Sequence, residues 1–288
     1  MKIGIAANIY KNLYQRWGED KYKKLKNFGY DAVDYDMSDT NQDIYSCTEE
    51  EFKNKLLHER KLADDAGIEI HQVHGPWRWP ARDFLAEDRA ERMEKMKKSI
   101  RGTAIMGCKY WVIHPIMPHG TEDIGTGNEQ ETWDMNLEFM SELLKTAKEF
   151  EVVICFENMP MHKFSLATPS QILKFVKTIN DDNFKICLDT GHVSVFPKLN
   201  AGDAVRELGK EIKVLHVHDN RFERDLHLMP YFGIIDWEDF AKSLDEIGFE
   251  DVFSLESVIP DKLLNGVYED MYISLAKIAR DTLKNNNN

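Results

Sequence analysis

Short apolar runs alternate with longer amphipathic segments eight times along this chain, and that alternation narrows the fold to one class. The runs are Lys2–Asn8, Ala32–Met37, Ile68–Gly75, Tyr110–Ile116, Val152–Asn158, Phe184–Thr190, Ile212–Asp219 and Val252–Ser257. Between them, segments such as Glu49–Ala66, Glu87–Met106, Glu131–Phe150 and Pro169–Ile179 carry helical spacing and charged faces. Thr48 before an acidic turn, Gly67, the pair Thr168-Pro169 and Gly248 supply start and stop signals where helices need them. Strict alternation of β and α units implies parallel strands, and eight of them close readily into a barrel. The expected architecture is an α/β, single-domain (β/α)8 TIM barrel over residues 1–284, with Asn285–Asn288 a frayed polar tail. The longest irregular stretches, Trp77–Asp83, Met117–Asn128 and Arg221–Ile235, all follow strands and would lie over the mouth where such barrels work.

Composition agrees with one domain: 288 residues, 42% hydrophobic and 30% charged, are enough for a large core. A net charge of -13 weighs against broad attraction to nucleic-acid backbones. The four cysteines show no metal-binding spacing, and Cys155 and Cys187 sit inside apolar runs. No stretch is apolar over the ~20 residues a membrane span needs, and the N-terminus lacks a signal-peptide core, so a cytoplasmic protein without a membrane partner is expected.

Function is written at the ends of the runs. Six of the ten histidines, His74, His114, His192, His216, His218 and His227, stand at or just past a strand's C-terminal end, most of them beside a carboxylate. Glu157, Asp189 and Glu256 each close an apolar strand, where an unpaired charge is costly and a cation is the simplest compensation. Neutral imidazoles with ionised carboxylates form a donor set for a divalent metal. Strand alternation puts His216 and His218 on one face and turns His71 away from His74.

The elements CFEN, LDTGH, HVHDN, DLHLMPYFGIIDW and SLES together resemble the xylose-isomerase-like TIM-barrel superfamily, in order along essentially the whole chain. That superfamily holds sugar and sugar-phosphate isomerases and epimerases, dehydratases and endonuclease IV. The resemblance implies one divalent cation (Mn2+, Mg2+, Co2+ or Zn2+) on Glu157, Asp189, His216 and Glu256. It also implies that Glu157 and Glu256 are catalytic, exchanging a proton with a carbohydrate carbon through an enediolate held by the cation. A second mapping, onto the three-zinc site of endonuclease IV, adds His74, His114, His192, Asp225 and His227 as further ligands. Against it, ENMPMHKFSL stands where endonuclease IV has a Gly-rich turn. The expectation is therefore a metal-dependent sugar, sugar phosphate or polyol isomerase or epimerase with one ion rather than three and no nucleic-acid partner. The alternatives are a multinuclear zinc phosphodiesterase, a lyase of the same superfamily, or a metal-stabilised barrel without activity. A homo-oligomer is compatible with the resemblance, which does not fix its size.

Several residues keep two readings. His74, His114 and His192 would contact substrate hydroxyls or serve as ligands; for His114 the substrate contact is preferred to a structural core role, and for His192 a structural hydrogen bond stands level with both. Arg221, with Arg224, would meet a phosphate or carboxylate, or stand solvated on its loop. Trp77 and Trp79 would pack on a sugar face or seal the rim. His218 is expected to hold a ligand carboxylate, and Asp219 to cap the loop that follows it.

Overall fold

The computed structural model describes residues 1–6, 13–78, 83–222, 224–260 and 262–284. Its strands are β1 (Lys2–Ala6), β2 (Ala32–Asp36), β3 (Glu69–His74), β4 (Tyr110–Ile113), β5 (Val153–Glu157), β6 (Phe184–Asp189), β7 (Ile212–His216), β8 (Asp219–Arg221), β9 (Arg224–Leu228) and β10 (Val252–Leu255). The helices are α1 (Leu13–Trp17), α2 (Lys21–Phe28), α3 (Glu49–Ala66), α4 (Ala86–Ile105), α5 (Glu129–Glu149), α6 (Pro169–Ile179), α7 (Thr190–Ser194), α8 (Ala201–Leu208), α9 (Trp237–Ile247) and α10 (Asn265–Lys284). Eight strands form one parallel sheet in the order β10-β1-β2-β3-β4-β5-β6-β7. A parallel bridge between Val217 and Leu255 joins its two edges. There the Val217 amide donates to the Ser254 carbonyl at 2.8 Å and the Glu256 amide to the Val217 carbonyl at 2.8 Å. The eight-stranded TIM barrel expected from the alternation is what forms.

Local signals act where the sequence puts them. Thr48 and Thr168 each build a reciprocal cap with the residue three positions on, Glu51 and Gln171. Gly67 and Gly248 end α3 and α9 in the left-handed conformation. The strands β4, β5 and β10 are shorter than their apolar runs because those runs continue into a loop past the barrel's C-terminal end. Asn8, the expected end of β1, lies outside the described residues, as do Trp79 and the 285–288 tail. One expectation needs correction: Arg221–Ile235 is not wholly irregular, since β8 and β9 pair as an antiparallel hairpin above the mouth. Its signal was weak because each strand is short and flanked by charged residues.

Alternation along the strands sorts the interior. Trp111, Ile154, Phe156, Ile186, Leu188 and Leu215 join the large core between sheet and helices. Their neighbours Val112, Val153, Cys155, Cys187 and Val214 make a separate apolar cluster inside the barrel. This cluster floors the polar mouth. A step further along the same strand faces come His114, Glu157, Asp189 and His216, all buried. No helix among the described residues is long and apolar enough to cross a membrane.

Candidate metal centre

The mouth is assembled from six strand ends. β5 ends in Glu157, β6 in Asp189 and β7 in His216, while Glu256 follows β10 directly. Glu157, Asp189, His216 and Glu256 each offer a ligand atom, and these atoms all lie within 4.8 Å of one another. Donors held ~2.0–2.2 Å from one ion stand at most about 4.4 Å apart across it, so small rotamer shifts suffice to close the set. His216 Nδ1 is 3.1 Å from Glu157 Oε1 and 3.3 Å from Glu256 Oε2, and so faces the centre of the group. Glu157 Oε2 is buried and accepts no hydrogen bond. His114 Nε2 lies 3.1 Å from it, but without hydrogen-bond geometry. A buried carboxylate oxygen left open among converging donors fits a divalent cation.

Asp189, one of these four, is held from behind. Asp189 caps the short helix α7 by accepting the His192 amide at 2.7 Å. Its backbone is latched to β5, where Asn158 donates through Nδ2 to the Asp189 carbonyl at 3.0 Å and accepts the Asp189 amide at 2.9 Å. His218 Nε2 reaches the Asp189 carboxylate at 3.0 Å, the holding role expected for it. The Thr190 hydroxyl fixes the His218 backbone, donating to its carbonyl at 2.8 Å. Gly191 makes room for this arrangement, since a Cβ there would stand 1.8 Å from the His218 ring.

The outer histidines converge on the same space. His74 donates through Nδ1 to the Gly75 carbonyl at 2.9 Å, which turns Nε2 toward Glu157 Oε2, 3.7 Å away. His192 donates through Nδ1 to the Asn158 carbonyl at 2.7 Å and presents Nε2 to Asp225 Oδ2 at 3.2 Å. His227, on β9, meets the same Asp225 oxygen at 2.9 Å and donates through Nδ1 to the Glu256 carbonyl. Its backbone φ of +46° is unusual for a residue with a side chain. Hairpin and β10 are tied there, as the Val258 amide donates to the His227 carbonyl at 2.8 Å. Three three-ligand groups result, His74–Glu157–His216, Asp189–His192–His218 and His218–Asp225–His227.

A cavity of 220 Å³ opens over these groups, lined by Ser38, Trp77 and Met161 as well as His74, His114, His192, Asp225 and both glutamates. Trp77 stands edge-on to His114 with ring centres 4.5 Å apart. Larger hollows, of 410 and 540 Å³, lie around the strands' N-terminal ends, among residues such as Lys213 and Asp251 or Lys177 and Glu211. None of those gathers the polar cluster. Arg221 is not among the cavity's lining: it is exposed on the hairpin and donates to the Phe232 carbonyl. Asp219 caps its loop as expected, with Oδ1 accepting the Asn220, Ile234 and Ile235 amides and Oδ2 accepting the Trp237 indole.

Electrostatics divides the two glutamates. Burial works against ionisation of Glu157, but facing His216 and His114 overcome it and hold the carboxyl well below its ordinary range. Burial dominates at Glu256, raising its pKa against the pull of His216 and His227. Asp189 is lowered: burial is outweighed by His192 and His218. Burial pushes His114 down to about 4, while His227, despite burial, is raised to about 9 by its bond to Asp225 and by Glu256. His216 is raised as well, burial being outweighed by Cys187, Glu256, Glu157 and a bond to Asp34. Asp34, Gln72, Asn158 and Thr190 were not singled out in the sequence. The readable signal was AVDYD, a strand with two carboxylates on the face that alternation turns inward.

Known proteins resemble this chain in sequence and in overall fold. The family model described as xylose isomerase-like TIM barrel matches residues 22–278. An uncharacterized protein of Methanocaldococcus jannaschii is 30% identical over 207 residues, 68% of this chain and 67% of its own length. A D-psicose 3-epimerase of Enterocloster bolteae is 24% identical over 98% of this chain and 91% of its own. A solved D-tagatose 3-epimerase-like protein superposes with a TM-score of 0.78 at 23% identity, over 100% of this chain and 98% of that one. The chain belongs to the xylose isomerase-like TIM barrel family.

Proposed function

We propose that this protein is a divalent-metal-dependent isomerase or epimerase of a sugar or related polyol, working by proton transfer at a carbon next to a carbonyl. The observation that carries this reading is the pair Glu157 and Glu256. Both approach His216 Nδ1, yet their environments push them in opposite directions, one toward the ionised form and one toward the protonated form. Two carboxyls so divided are suited to taking a proton and returning one. A cation bound by Glu157, Asp189, His216 and Glu256 would polarise the substrate carbonyl and its neighbouring hydroxyl and stabilise the charge left by proton loss. One of the two glutamates would take the carbon-bound proton and the other would return one from its own side. His74, His114 and His192 orient hydroxyls, and Trp77 offers an aromatic face to sugar C–H groups. The long coverage by a D-psicose 3-epimerase supports the same class.

Among the described residues, the cavity lining contains three carboxylates and no Lys or Arg, which favours an uncharged sugar over a phosphorylated one. At 220 Å³ the cavity is below the ~300–1,000 Å³ of drug-sized sites and suits a single monosaccharide. Arg221 has no part in this reading. One ion is favoured over three because the four-ligand group gathers the most donors at one point, while each three-ligand group borrows a ligand from it or, through His218, from another group.

A second reading, phosphodiester hydrolysis at several zinc ions, draws on the two three-ligand groups around His218. The charge of -13 and the acidic lining oppose a nucleic-acid substrate. The deciding experiment couples metal analysis with deuterium exchange across a panel of free ketoses, inososes and their phosphates. One ion per chain and deuterium at a single carbon of a free sugar support the proposal. Three zincs with cleavage of an abasic-site duplex, or loss of a leaving group from the substrate, would replace it.

A further inference from the structure

We infer that Asp34 is a positioning residue for the metal centre: a carboxylate on β2 that reaches across the barrel to fix the tautomer and direction of His216. This inference rests on the metal reading of the site. His216 Nε2 stands 2.9 Å from Asp34 Oδ2, and both residues are fully buried. A carboxylate oxygen that also takes the Gln72 amide is the acceptor, so Nε2 is the donor in this pair. Nδ1 is then the atom left to face Glu157 and Glu256. Gln72, on β3, donates through Nε2 to the same Asp34 oxygen at 3.1 Å and also faces the Leu215 carbonyl at 3.4 Å. Asp34 is thereby gripped in place, as is the strand that carries His216.

A structural role alone explains this residue poorly. A buried carboxylate costs several kcal/mol unless paired, and it is best satisfied when it uses both oxygens. Asp219 does so, with donors on both oxygens. Asp34 instead leaves Oδ1 with no hydrogen-bond partner and receives its donors, His216 and Gln72, on Oδ2 alone. The arrangement gains its value when His216 must present a directed, basic nitrogen. A carboxylate on a ligand histidine's remote nitrogen raises ligand basicity, and its loss typically costs 10–100-fold in metal affinity.

The test measures cobalt(II) affinity by competition with a chromogenic chelator, well below the melting temperature, for the wild type, Asp34→Ala and Asp34→Asn. Melting temperature and the ring-nitrogen NMR signals of His216 in zinc-loaded protein are recorded beside it. We expect Asp34→Ala to weaken binding by about 10–100-fold and to lose the sharp Nε2–H signal. Asp34→Asn, which keeps an acceptor but not the charge, should fall in between, with melting close to the wild type. Wild-type affinity in Asp34→Asn together with wild-type affinity in Asp34→Ala overturns the inference. If Asp34→Ala does not fold, unchanged affinity in Asp34→Asn alone overturns it. A lowered melting temperature with unchanged affinity also overturns it, since the role is then structural. Wild-type protein that takes up no cobalt overturns the metal reading, and this inference with it.

Discussion

At the N-terminal end of the barrel, Lys2, Glu69, His71 and Asp251 form a chain of matched charges. Lys2 Nζ lies 2.5 Å from Glu69, which meets His71 at 3.2 Å, and His71 reaches Asp251 at 3.5 Å. Around it, Lys177 and Lys185 converge on Glu211. At the C-terminal end, Glu157, Asp189, Asp225 and Glu256 have imidazoles beside them in the cavity, which carry charge only when protonated. The first end is partly exposed and its charges are balanced by lysines. The second is buried and is balanced only if protons or a cation enter. Charges that neutralise each other hold strands in register, whereas charges left short of neutral at a buried mouth have to be completed by something bound.

Metal removal should separate the two ends most sharply. Stripping divalent ions with a chelator is expected to take turnover of the responding sugar to background. The far-ultraviolet circular dichroism should persist, because the barrel is closed by backbone hydrogen bonds between β7 and β10 and barrels of this size do not need a metal to fold. Collapse of the fold on chelation would erase the distinction, for the mouth would then be the structural end.

Next in size are Glu157→Gln and Glu256→Gln. Each should lower kcat by about 10²–10⁴-fold, the range for loss of a positioned acid or base. They should differ in metal affinity. Glu157 is the carboxyl held strongly ionised and faces both His216 and His114, so Glu157→Gln should bind cobalt more weakly than Glu256→Gln. Full activity in both variants would remove the acid/base assignment. Gly191→Ala is a smaller test of how the mouth is held. Its new Cβ would lie 1.8 Å from the His218 ring, so the imidazole must leave Asp189. We expect a several-fold weaker metal affinity with the secondary structure intact, and unchanged affinity would show that His218 does not hold Asp189.

The same comparison explains what could be read from the chain. Parallel strands buried on both faces write themselves as apolar runs, and a polar residue that closes such a run has no local excuse, so Glu157, Asp189, His216 and Glu256 were legible. Asp34 was not, because its partner His216 is 182 positions away and only closure of the barrel brings them together. Asn158 and Thr190 escaped for a related reason: they act through backbone groups of neighbouring strands, which sequence spacing does not encode. The β8–β9 hairpin was lost because two short polar strands have no apolar periodicity to display.

The smallest expected effect belongs to the matched end. Its bond to His71 and the pairing with Lys2 outweigh partial burial and hold Glu69 down at about 2, below its ordinary 4.5. A carboxylate whose folded pKa is depressed stabilises the fold fully above the unfolded value and loses that contribution as pH falls through the folded one. The window therefore runs from about 4.5 down to about 2. The side chain is 43% exposed, so solvent screening limits the contribution to below about 1 kcal/mol. Urea unfolding of Glu69→Gln should show a deficit of that order at pH 7 that narrows by pH 3, with kcat and KM unchanged. A change in turnover would mean that the two ends communicate, and the division between a neutralised base and an open, ion-binding mouth would have to be redrawn through the strand β3, which carries both Glu69 and His74.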